Sequence, residues 1–573
     1  MEYRLEYERW LKLADEETVK ELTAISGDEN EVKDRFYKEL EFGTAGLRGV
    51  LGAGSNRMNT YVVGQATQGL ANQLLATNPG KDDLSVVIAY DSRHKSDVFA
   101  KEAAMILAAN GIKVYLFEEL KPVPELSFSV RHLKTDAGIA ITASHNPAKY
   151  NGYKVYGSDG AQLNPELASI VLEEIGKIDL FADVKKCDLE EAIQKGMVVM
   201  IGDEVEEAYL DEVQKQCINP ELAKEKGNTL KFVYTPFHGA GNKPVRKILN
   251  RIGFTNVVVV KEQELPDGDF PTVASPNPEN KESFALAVEY AKNCGADLIV
   301  GTDPDSDRVG IMVKNEKGEY SSFTGNQVGA LLTEYILSSM KERGTLPQDG
   351  YVVKTIVTTN IIEEMCKAYG VSMKEVLTGF KFIGEKIKES EETGVGTYLF
   401  GFEESYGYLK GTYARDKDAV VAVMLIAEMA LYYQEKGSSV FEQMDKIYQK
   451  YGYYREQVES VTMEGIEGLS KIQSIMETVR KNPPATVAGK KVLAVRDYKT
   501  SIRTDLATGE TEKILLPVSN VIYLELEDGN NFIIRPSGTE PKIKLYCLLR
   551  GETPEEADAL CELVKQDIAE LVK

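Results

Sequence analysis

Thr142-Ala143-Ser144-His145-Asn146-Pro147 sets a serine in a turn of small residues, and Gly301-Thr302-Asp303-Pro304-Asp305-Ser306-Asp307-Arg308 offers three carboxylates at alternate positions. A hydroxyl that carries a phosphoryl group needs a cation at its oxygens, and aspartate supplies the hard oxygen ligands of Mg²⁺. Without a cation, carboxylates crowded into one loop would repel each other. The two loops together predict a phosphotransfer site with Ser144 as the candidate carrier of the phosphate, although a lone serine in a turn commonly makes only a local hydrogen bond. Asp303, Asp305, Asp307 and an oxygen of the Ser144 phosphate would hold one Mg²⁺.

Apolar runs flank the aspartate loop, with Leu298-Ile299-Val300 before it and Val309-Gly310-Ile311-Met312-Val313 after it. Such runs predict buried strands and place the loop at a sheet edge, where α/β proteins build their sites. In the first half of the chain, β-branched runs alternate with helical stretches, which indicates a mainly parallel α/β layer. The last part predicts grouped strands before a helix, as in an α+β domain; the strands are expected at 492–495, 521–526, 532–534 and 542–549, and the helix at 554–573.

The aspartate loop has two other interpretations. An EF-hand calcium loop also begins D-x-D-x-D, but the glycine it needs at position six is Arg308 and the glutamate it needs at position twelve is Lys314. A solvated acidic surface loop is the common alternative for a bare D-x-D-x-D. The strand signals on both sides favour the site over the surface loop.

Ser144 does not fit the usual hydrolase or nucleotide-binding patterns. A nucleophile elbow needs glycines where Thr142 and Asn146 stand, and the chain has four histidines from which to build a triad. No G-x-x-x-x-G-K-[ST] occurs in the sequence, and neither of two G-A-G stretches continues to the third glycine of a dinucleotide fingerprint. The sequence therefore predicts phosphate transfer without a Walker-type ATP site.

Six motifs resemble those of the α-D-phosphohexomutases, in family order and over nearly the whole chain. They are FGTAGLRG at 42–49, TASHNP at 142–147, YNGYK at 150–154, GTDPDSDR at 301–308, GFEESYG at 401–407 and RPSGTEPKIKLY at 535–546. Within that family, the Glu-Glu-Ser loop and the length resemble the branch that includes phosphoglucomutases and phosphopentomutases.

The resemblance implies a four-domain α/β architecture, with three related α/β domains with mixed sheets and a C-terminal α+β domain around a central cleft. The length of 573 residues independently favours about four domains, at roughly 150 residues each. The expected domains are 1–215 with the phosphoserine loop, 216–325 with the metal-binding loop, 326–455 with the sugar-recognition loop and 456–573 with the phosphate-binding loop.

The resemblance also implies which residues bind the substrate. One loop contacts sugar hydroxyls, and another offers guanidinium, hydroxyl and backbone N–H groups to the non-reacting phosphate. The expected set is Thr44, Arg308, Thr378, Glu403, Glu404, Ser405, Arg415, Arg535, Ser537, Gly538 and Thr539.

Proton transfer to and from the sugar hydroxyl has several candidates. The resemblance places Arg48, Lys154 and Lys417 at the cleft as catalytic residues, and His145 beside Ser144 as a supporting or orienting group. A lysine can act as a base only if its pKa is lowered, which a sequence does not reveal. The identity of the acid and the base stays open at this point.

Composition limits the kinds of partner that the protein can bind and indicates the compartment in which it works. The formal net charge of −23 repels nucleic acid and anionic lipid, so a phosphorylated substrate needs a locally basic site. Six scattered cysteines without a C-x-x-C are typical of reduced, mostly buried thiols. The N-terminal residues lack the apolar core of a secretory signal, and the apolar run 419–427 is too short to cross a bilayer. We therefore expect a cytoplasmic protein without a nucleic-acid or membrane partner. The resemblance implies a small-molecule sugar phosphate as its ligand, and the oligomeric state stays open.

The expected function is that of an isomerase that interconverts glucose 1-phosphate and glucose 6-phosphate. The resemblance implies a phosphoserine enzyme, with glucose 1,6-bisphosphate as intermediate and activator and one Mg²⁺ per chain. Phosphopentomutase and phosphomannomutase activities with the same mechanism remain alternatives. A third alternative is a catalytically silent sugar-phosphate binding protein, although loss of Ser144, an aspartate or Arg535 would be its simplest signature, and all of them are present.

Overall fold

The structure, a computed structural model, describes residues 2–41, 46–463, 465–537 and 542–571, without the side chains of 465–467. Thr44, Gly538 and Thr539 lie outside the described residues. The chain forms two units: the first is Met1–Phe323, Gly384–Gly394 and Tyr406–Tyr432, and the second is Thr324–Ile383, Val395–Ser405 and Tyr433–Lys573.

Three short helices precede the first sheet, namely α1 (Glu2–Leu13), α2 (Glu16–Ala24) and α3 (Glu29–Phe36). Aspartates cap the second and third helices: the Thr18 N–H donates to the Asp15 carboxylate at 2.9 Å. Such a contact satisfies an amide that the first helical turn leaves without a partner. Trp10 is fully buried at the centre of the three helices.

A mixed six-stranded sheet carries the serine motif. Its elements are β1 (Gly46–Val50), α4 (Thr60–Thr77), β2 (Ser85–Tyr90), α5 (Ser96–Ala109), β3 (Lys113–Phe117), α6 (Val123–His132), β4 (Ala137–Ile141), β5 (Tyr150–Gly157), α7 (Pro165–Ile175), α8 (Leu189–Gln194), β6 (Val198–Ile201), α9 (Asp203–Gln214) and α10 (Pro220–Lys226). The strand order is β1-β5-β4-β2-β3-β6. The pairs β2–β3, β2–β4 and β3–β6 are parallel, as predicted, whereas β4–β5 and β1–β5 are antiparallel. The serine motif begins where the buried strand β4 ends.

A second mixed sheet carries the aspartate loop. Its elements are β7 (Phe232–Thr235), α11 (Asn242–Ile252), β8 (Val257–Val259), α12 (Lys261–Glu264), α13 (Ala285–Cys294), β9 (Leu298–Thr302), β10 (Val309–Lys314) and β11 (Tyr320–Phe323). The order is β11-β10-β9-β7-β8, with β9 and β10 antiparallel. The two strands predicted on either side of the loop are confirmed as β9 and β10, so the loop is the connection of a hairpin.

The third group of elements surrounds parallel strands. They are α14 (Gly325–Glu342), β12 (Gly350–Thr355), α15 (Ile361–Tyr369), β13 (Ser372–Val376), α16 (Phe380–Thr393), β14 (Thr397–Glu403), β15 (Gly407–Leu409), α17 (Ala419–Glu435) and α18 (Val440–Tyr451). Strand β12 pairs in parallel with both β13 and β14. The apolar run 419–427 is a buried part of α17, as predicted. None of the described helices has the length and apolarity needed to cross a membrane.

The last part is an antiparallel sheet with two helices, which confirms the predicted α+β domain. Its elements are β16 (Tyr453–Thr462), α19 (Gly465–Lys481), β17 (Thr486–Val487), β18 (Lys490–Asp497), β19 (Ile502–Asp505), β20 (Thr511–Lys513), β21 (Ile522–Leu526), β22 (Asn531–Pro536), β23 (Lys542–Gly551) and α20 (Pro554–Leu571). The order is β16-β23-β22-β21-β18-β19-β20, and β17 pairs with β18. All six cysteines are unpaired, and three of them are buried.

Candidate active site

The serine motif forms a tight turn directly after β4. Ser144 has φ of 51°, a left-handed conformation that is uncommon for a residue with a side chain. Its N–H donates to Thr142 Oγ at 2.8 Å, and the Thr142 hydroxyl donates to Asp305 Oδ2 at 3.2 Å. These contacts hold the Ser144 backbone in place, so the loop geometry does not depend on the Ser144 hydroxyl.

The aspartate loop meets Ser144 directly. The Ser144 hydroxyl donates to Asp303 Oδ2 at 2.8 Å, although the two residues are 159 positions apart in the chain. The other oxygen of Asp303 accepts the N–H groups of Asp307 at 3.1 Å and Arg308 at 3.0 Å. The two loops singled out in the sequence are therefore brought together within one unit of the structure.

The three aspartates converge as a metal site requires. Asp303, Asp305 and Asp307 are almost completely buried, and their ligand oxygens lie within 4.8 Å of one another. Asp305 Oδ1 and Asp307 Oδ1 are buried and accept no hydrogen bond from any described residue. Because a buried carboxylate oxygen without a donor is costly, these atoms fit a divalent cation that prefers oxygen ligands.

Two lysines border the aspartate cluster. Lys154 Nζ on β5 lies 2.9 Å from Asp305 Oδ2 and 3.9 Å from Asp307 Oδ2. Lys417 Nζ lies 3.0 Å from Asp307 Oδ2 and 2.9 Å from Asp416 Oδ1. The two predicted lysines thus both reach Asp307 from different elements, and they add positive charge beside the aspartate cluster.

The electrostatics of the cluster follow from its burial. Burial and the neighbouring carboxylates raise the pKa of Asp303 well above its ordinary value. The pKa of Asp305 is lowered, because Lys154 and hydrogen bonds outweigh the effect of burial. Burial and Asp305 raise the pKa of Asp307. Three negatively charged carboxylates thus lie close together with too little positive charge around them. A bound cation would supply the missing charge.

The remaining candidates of this unit lie around the same loops. His145 Nδ1 is 3.1 Å from the Ser144 hydroxyl, and burial together with Arg308 and Arg48 lowers its pKa well below the ordinary value. Arg48 is exposed on β1, with Nη1 3.4 Å from Asn146 Oδ1. Arg308 Nη1 lies 2.7 Å from Glu279 Oε1.

Arg415 is the most enclosed of the predicted substrate-binding residues that the structure describes. Its side chain is 2% exposed and forms an ion pair with Glu391. Its Nη1 also donates to the Thr412 carbonyl at 2.5 Å. The guanidinium is therefore engaged within its own unit, and its predicted contact with the substrate stays a prediction.

The second unit contains the predicted sugar and phosphate loops. Glu403 is buried and accepts the Gly379 N–H at 2.8 Å, next to half-buried Thr378. Glu404 and Ser405 follow at the end of β14 and are half-buried. Arg535 is half-buried on β22 opposite Lys544, and the Ser537 N–H donates to the Lys542 carbonyl at 2.7 Å.

Three family models match this chain. They are described as phosphoglucomutase/phosphomannomutase, alpha/beta/alpha domains I, II and III, and they match residues 39–181, 207–318 and 324–451. The chain belongs to this family. A phosphoglucomutase of Staphylococcus saprophyticus is 38% identical over 96% of this chain and 97% of the relative, and one of Staphylococcus aureus is 39% identical over 95% and 96%. The chain is accordingly an enzyme of the phosphohexomutase class, an intramolecular phosphotransferase.

Solved structures share the phosphohexomutase fold. The phosphoglucomutase parafusin of Paramecium aligns with a TM-score of 0.69 at 17% identity, over 93% of this chain and 96% of its own. A putative phosphomannomutase from Thermus thermophilus aligns with a TM-score of 0.66 at 21% identity, over 93% and 99%. Three α/β domains with mixed sheets and a C-terminal α+β domain are therefore the fold of this chain.

One residue that holds the serine loop was not predicted from the sequence. Buried Arg93, which follows β2, donates to the carbonyl oxygens of Ser144 and Asn146, and to those of Pro147 at 3.0 Å and Tyr150 at 3.1 Å. Asp91 lies 3.3 Å from its guanidinium. A signal was present, since Asp91-Ser92-Arg93 follows a strand that pairs with β4, but a lone D-x-R is too common to interpret.

Proposed function

We propose that this phosphohexomutase interconverts glucose 1-phosphate and glucose 6-phosphate. The observation that carries the proposal is the 2.8 Å hydrogen bond from the Ser144 hydroxyl to Asp303 in a buried triad of aspartates. It sets a phosphoryl acceptor against a cation site, which is what transfer between an enzyme and a sugar needs. The glucose specificity rests on the relatives at 38–39% identity, which are phosphoglucomutases.

The reaction proceeds through a phosphorylated Ser144. The phosphoryl group leaves the Ser144 oxygen and forms a bond to the free hydroxyl of the sugar phosphate, giving glucose 1,6-bisphosphate. The Ser144 oxygen then accepts the phosphoryl group from the other position of the bisphosphate, which releases the isomeric monophosphate. The enzyme ends in the form in which it began, so the bisphosphate is an activator that is not consumed.

Asp303, Asp305 and Asp307 would hold Mg²⁺, together with an oxygen of the phosphorylated Ser144. When bound, this ion supplies positive charge at the oxygens of the phosphoryl group. Lys154 and Lys417 add charge at the same place from their positions beside Asp305 and Asp307. In a buried site, groups that are already positioned stabilise transferred charge more effectively than water does.

The proton of the attacking sugar hydroxyl needs an acceptor. Lys154 and Lys417 remain the candidates, with Arg48 as a cationic contact and His145 as a group that orients the Ser144 hydroxyl. Nδ1 of His145 is 3.1 Å from that hydroxyl. The lowered pKa of His145 favours a neutral imidazole, in which a protonated Nδ1 can donate to the Ser144 oxygen while the Ser144 hydroxyl itself donates to Asp303.

The substrate is a small-molecule sugar phosphate. The sugar hydroxyls would bind to carboxylate and hydroxyl side chains, namely Glu403, Glu404, Ser405 and Thr378. A site built from such groups strongly disfavours a sugar that lacks the matching hydroxyl. The non-reacting phosphate binds a cradle that we assign to Arg535, Ser537, Gly538 and Thr539, with Thr44, Arg308 and Arg415 as further contacts. Six unpaired thiols and a net charge of −23 support a cytoplasmic enzyme without a nucleic-acid or membrane partner.

A panel of kcat/KM values for glucose 1-phosphate, mannose 1-phosphate and ribose 1-phosphate tests the function. We expect the largest value for glucose 1-phosphate, with turnover stimulated by glucose 1,6-bisphosphate. A strong preference for ribose or mannose 1-phosphate would replace the proposal with a phosphopentomutase or phosphomannomutase. Binding of all three sugars without any turnover would indicate a silent binding protein.

A further inference from the structure

Helices α1–α3 precede the region that the family models match, which begins at residue 39. They are nevertheless docked firmly on the first α/β domain. The Trp10 ring lies 5.2 Å from that of Tyr61 on α4 and 5.4 Å from that of Phe181. The Tyr61 hydroxyl donates to Asp15 Oδ2 at 2.8 Å, and the Asp15 N–H donates back to the same hydroxyl at 2.7 Å.

Two charged residues of these helices hold the turn that follows β1. Arg35 Nη1 on α3 donates to the Ala53 carbonyl at 3.1 Å, and the Ala53 N–H donates to Glu21 Oε1 on α2 at 3.1 Å. Arg35 and Glu21 also form an ion pair at 2.5 Å. The Asn56 N–H donates to the Arg35 carbonyl at 2.9 Å. The turn is thus bound through its backbone on both sides of Gly54.

A glycine, Gly54, stands where the turn comes closest to α3. Gly54 has φ of 129°, and a Cβ atom there would lie 2.8 Å from the Arg35 carbonyl oxygen. Such a distance is essentially never tolerated, so a side chain at this position would separate the turn from α3. The contact between α3 and the turn therefore depends on the glycine.

The turn bears on the position of β1, because β1 is an edge strand that pairs with one of the described strands, β5. Its register with β5 sets Arg48 opposite Gly152, and Arg48 Nη1 lies 3.4 Å from Asn146 Oδ1 in the serine loop. An edge strand receives ladder hydrogen bonds from one side only. Upstream of β1, the Leu40 N–H donates to the Ser55 carbonyl at 2.8 Å, which ties the chain before the strand to the turn after it.

We propose that helices α1–α3 are a positioning clamp for β1, in which Arg35 and Glu21 determine where Arg48 lies beside the serine loop. The inference rests on the proposed function, in which Arg48 contacts the sugar phosphate. Arg35 acts through the backbone of the turn and is a positioning residue. The clamp stabilises the productive location of a phosphate-binding guanidinium on a strand that its sheet holds from one side.

The test compares Arg35→Ala with Arg35→Lys and with Arg4→Ala. Arg4 forms an exposed ion pair with Glu29 in the same helices, at a position away from the turn. For Arg35→Ala we expect KM for glucose 1-phosphate to rise roughly three- to thirtyfold, below the roughly hundredfold cost of an ångström-scale misplacement, with kcat within about twofold. Lysine should restore part of the loss because it keeps the charge beside Glu21, and Arg4→Ala should leave both constants unchanged.

Two readouts are independent of turnover. Trp10 is the only tryptophan of the chain, so its emission reports whether the helices remain folded and docked. Amide hydrogen exchange over residues 46–58, followed by mass spectrometry, reports on β1 and its turn, and it should be faster in Arg35→Ala. The milder Glu21→Gln keeps an acceptor for the Ala53 N–H and should change KM and exchange in the same direction by less.

The outcomes separate the clamp from the proposed function. Unchanged exchange over 46–58 in Arg35→Ala would overturn the clamp, and faster exchange with unchanged KM would overturn its effect on substrate binding. Red-shifted Trp10 emission in Arg35→Ala would mean that the helices have come undocked, and the KM and exchange measurements on Glu21→Gln would then decide whether the clamp exists. If the wild type lacks mutase activity, the proposed function fails, and hydrogen exchange alone then decides whether the helices hold β1.

Discussion

The serine and aspartate loops differ in exposure from the loops that carry Glu403 and Arg535. Ser144, Asp303, Asp305 and Asp307 are at most 3% exposed, and hydrogen bonds connect the two loops within the first unit. In the second unit, Glu403 is buried and accepts a hydrogen bond from the Gly379 N–H. Other candidate residues of this unit are half-buried, namely Thr378, Ser405, Arg535 and Ser537.

The difference corresponds to two physical requirements. Groups that stabilise transferred charge act best when they are fixed in a low-dielectric surrounding before the reaction starts. Groups that recognise a ligand must keep some surface to present to it, and they gain their full contacts only when it binds. Under the proposed function, the serine and aspartate loops would be a built-in region that is fixed before the reaction, and the loops that carry Glu403 and Arg535 would be a recognition region that completes its contacts when the substrate binds.

The strongest test of the built-in region is Ser144→Ala. We expect turnover to fall by roughly 10⁴-fold or more, since no acceptor for the phosphoryl group remains. The fold should persist, because the loop backbone is held by Thr142 and Arg93 rather than by the Ser144 hydroxyl. A coupled assay for glucose 6-phosphate measures the loss, and intact-mass spectrometry should show no phosphoryl adduct.

Ser169→Ala is the matched control for Ser144→Ala. Ser169 is an exposed serine whose hydroxyl donates to the Glu166 carbonyl at 2.7 Å, so its loss should leave turnover and the phosphoryl adduct unchanged. Sustained near-native turnover by Ser144→Ala would exclude the covalent mechanism.

Asp307→Asn should weaken the cation site by roughly a hundredfold or more, because affinity for a hard cation depends on the number of anionic ligands. It also removes a carboxylate that lies 3.0 Å from Lys417. Calorimetric titration of Mg²⁺ into protein stripped of metal measures the effect. Turnover of the wild type should vanish on exhaustive chelation and return with Mg²⁺.

Asp297→Asn controls for the loss of a negative charge near the same hairpin. Asp297 is 75% exposed and pairs with Lys314 at 3.2 Å, so Mg²⁺ binding should not change. Full activity of the wild type after verified removal of all metal would rule out a role of the aspartates in metal-assisted transfer.

Arg535→Ala tests the recognition region. The variant loses a charge-assisted contact to the distal phosphate, so its kcat/KM should fall by the equivalent of roughly 2–4 kcal/mol. The decrease should be similar for every sugar phosphate. Arg503→Ala is the control, since Arg503 of the same domain is already bound to Glu525 at 2.7 Å. An effect confined to one sugar would show that Arg535 reads hydroxyls and that the phosphate cradle is assigned wrongly.

Glu125→Gln tests the buried surroundings of the aspartate loop. Of the substitutions proposed here, it is expected to have the smallest effect, and this effect is on stability. Burial raises the pKa of Glu125 to about 8, with Glu206 acting in the same direction and Lys121 and Lys247 in the opposite one. The folded protein therefore keeps a proton that the unfolded chain has lost, and stability falls as the pH rises toward and through 8. Glutamine removes this dependence, on the order of 2 kcal/mol between pH 6 and 9.

Thermal unfolding of the wild type and Glu125→Gln at pH 6 and pH 9 measures this difference. The Tm gap between the two pH values should narrow in the variant, and Glu8→Gln on exposed helix α1 should retain the wild-type gap. An unchanged gap in Glu125→Gln would mean that Glu125 is ionised in the folded protein.

Much of the fold was predictable because its signals are local. The strands around the aspartate loop, the grouped C-terminal strands and the buried helix at 419–427 were predicted from apolar runs and are confirmed. The expected domain boundaries and the roles of the site residues stay predictions. Arg93 and Arg35 were not found, because each acts on backbone carbonyl groups, which leave no pattern in the side chains.

The sequence by itself determined which groups are present for chemistry: a serine in a small-residue turn, three alternating aspartates, and the apolar runs that place them at strand ends. Those features depend on neighbours within a few positions, where periodicity and turn chemistry act. Only the tertiary structure decided that Ser144 contacts Asp303 across 159 positions and Lys154 contacts Asp305 across 151. Such contacts are set by sheet order and register, which emerge from packing the whole chain, and no local spacing encodes them.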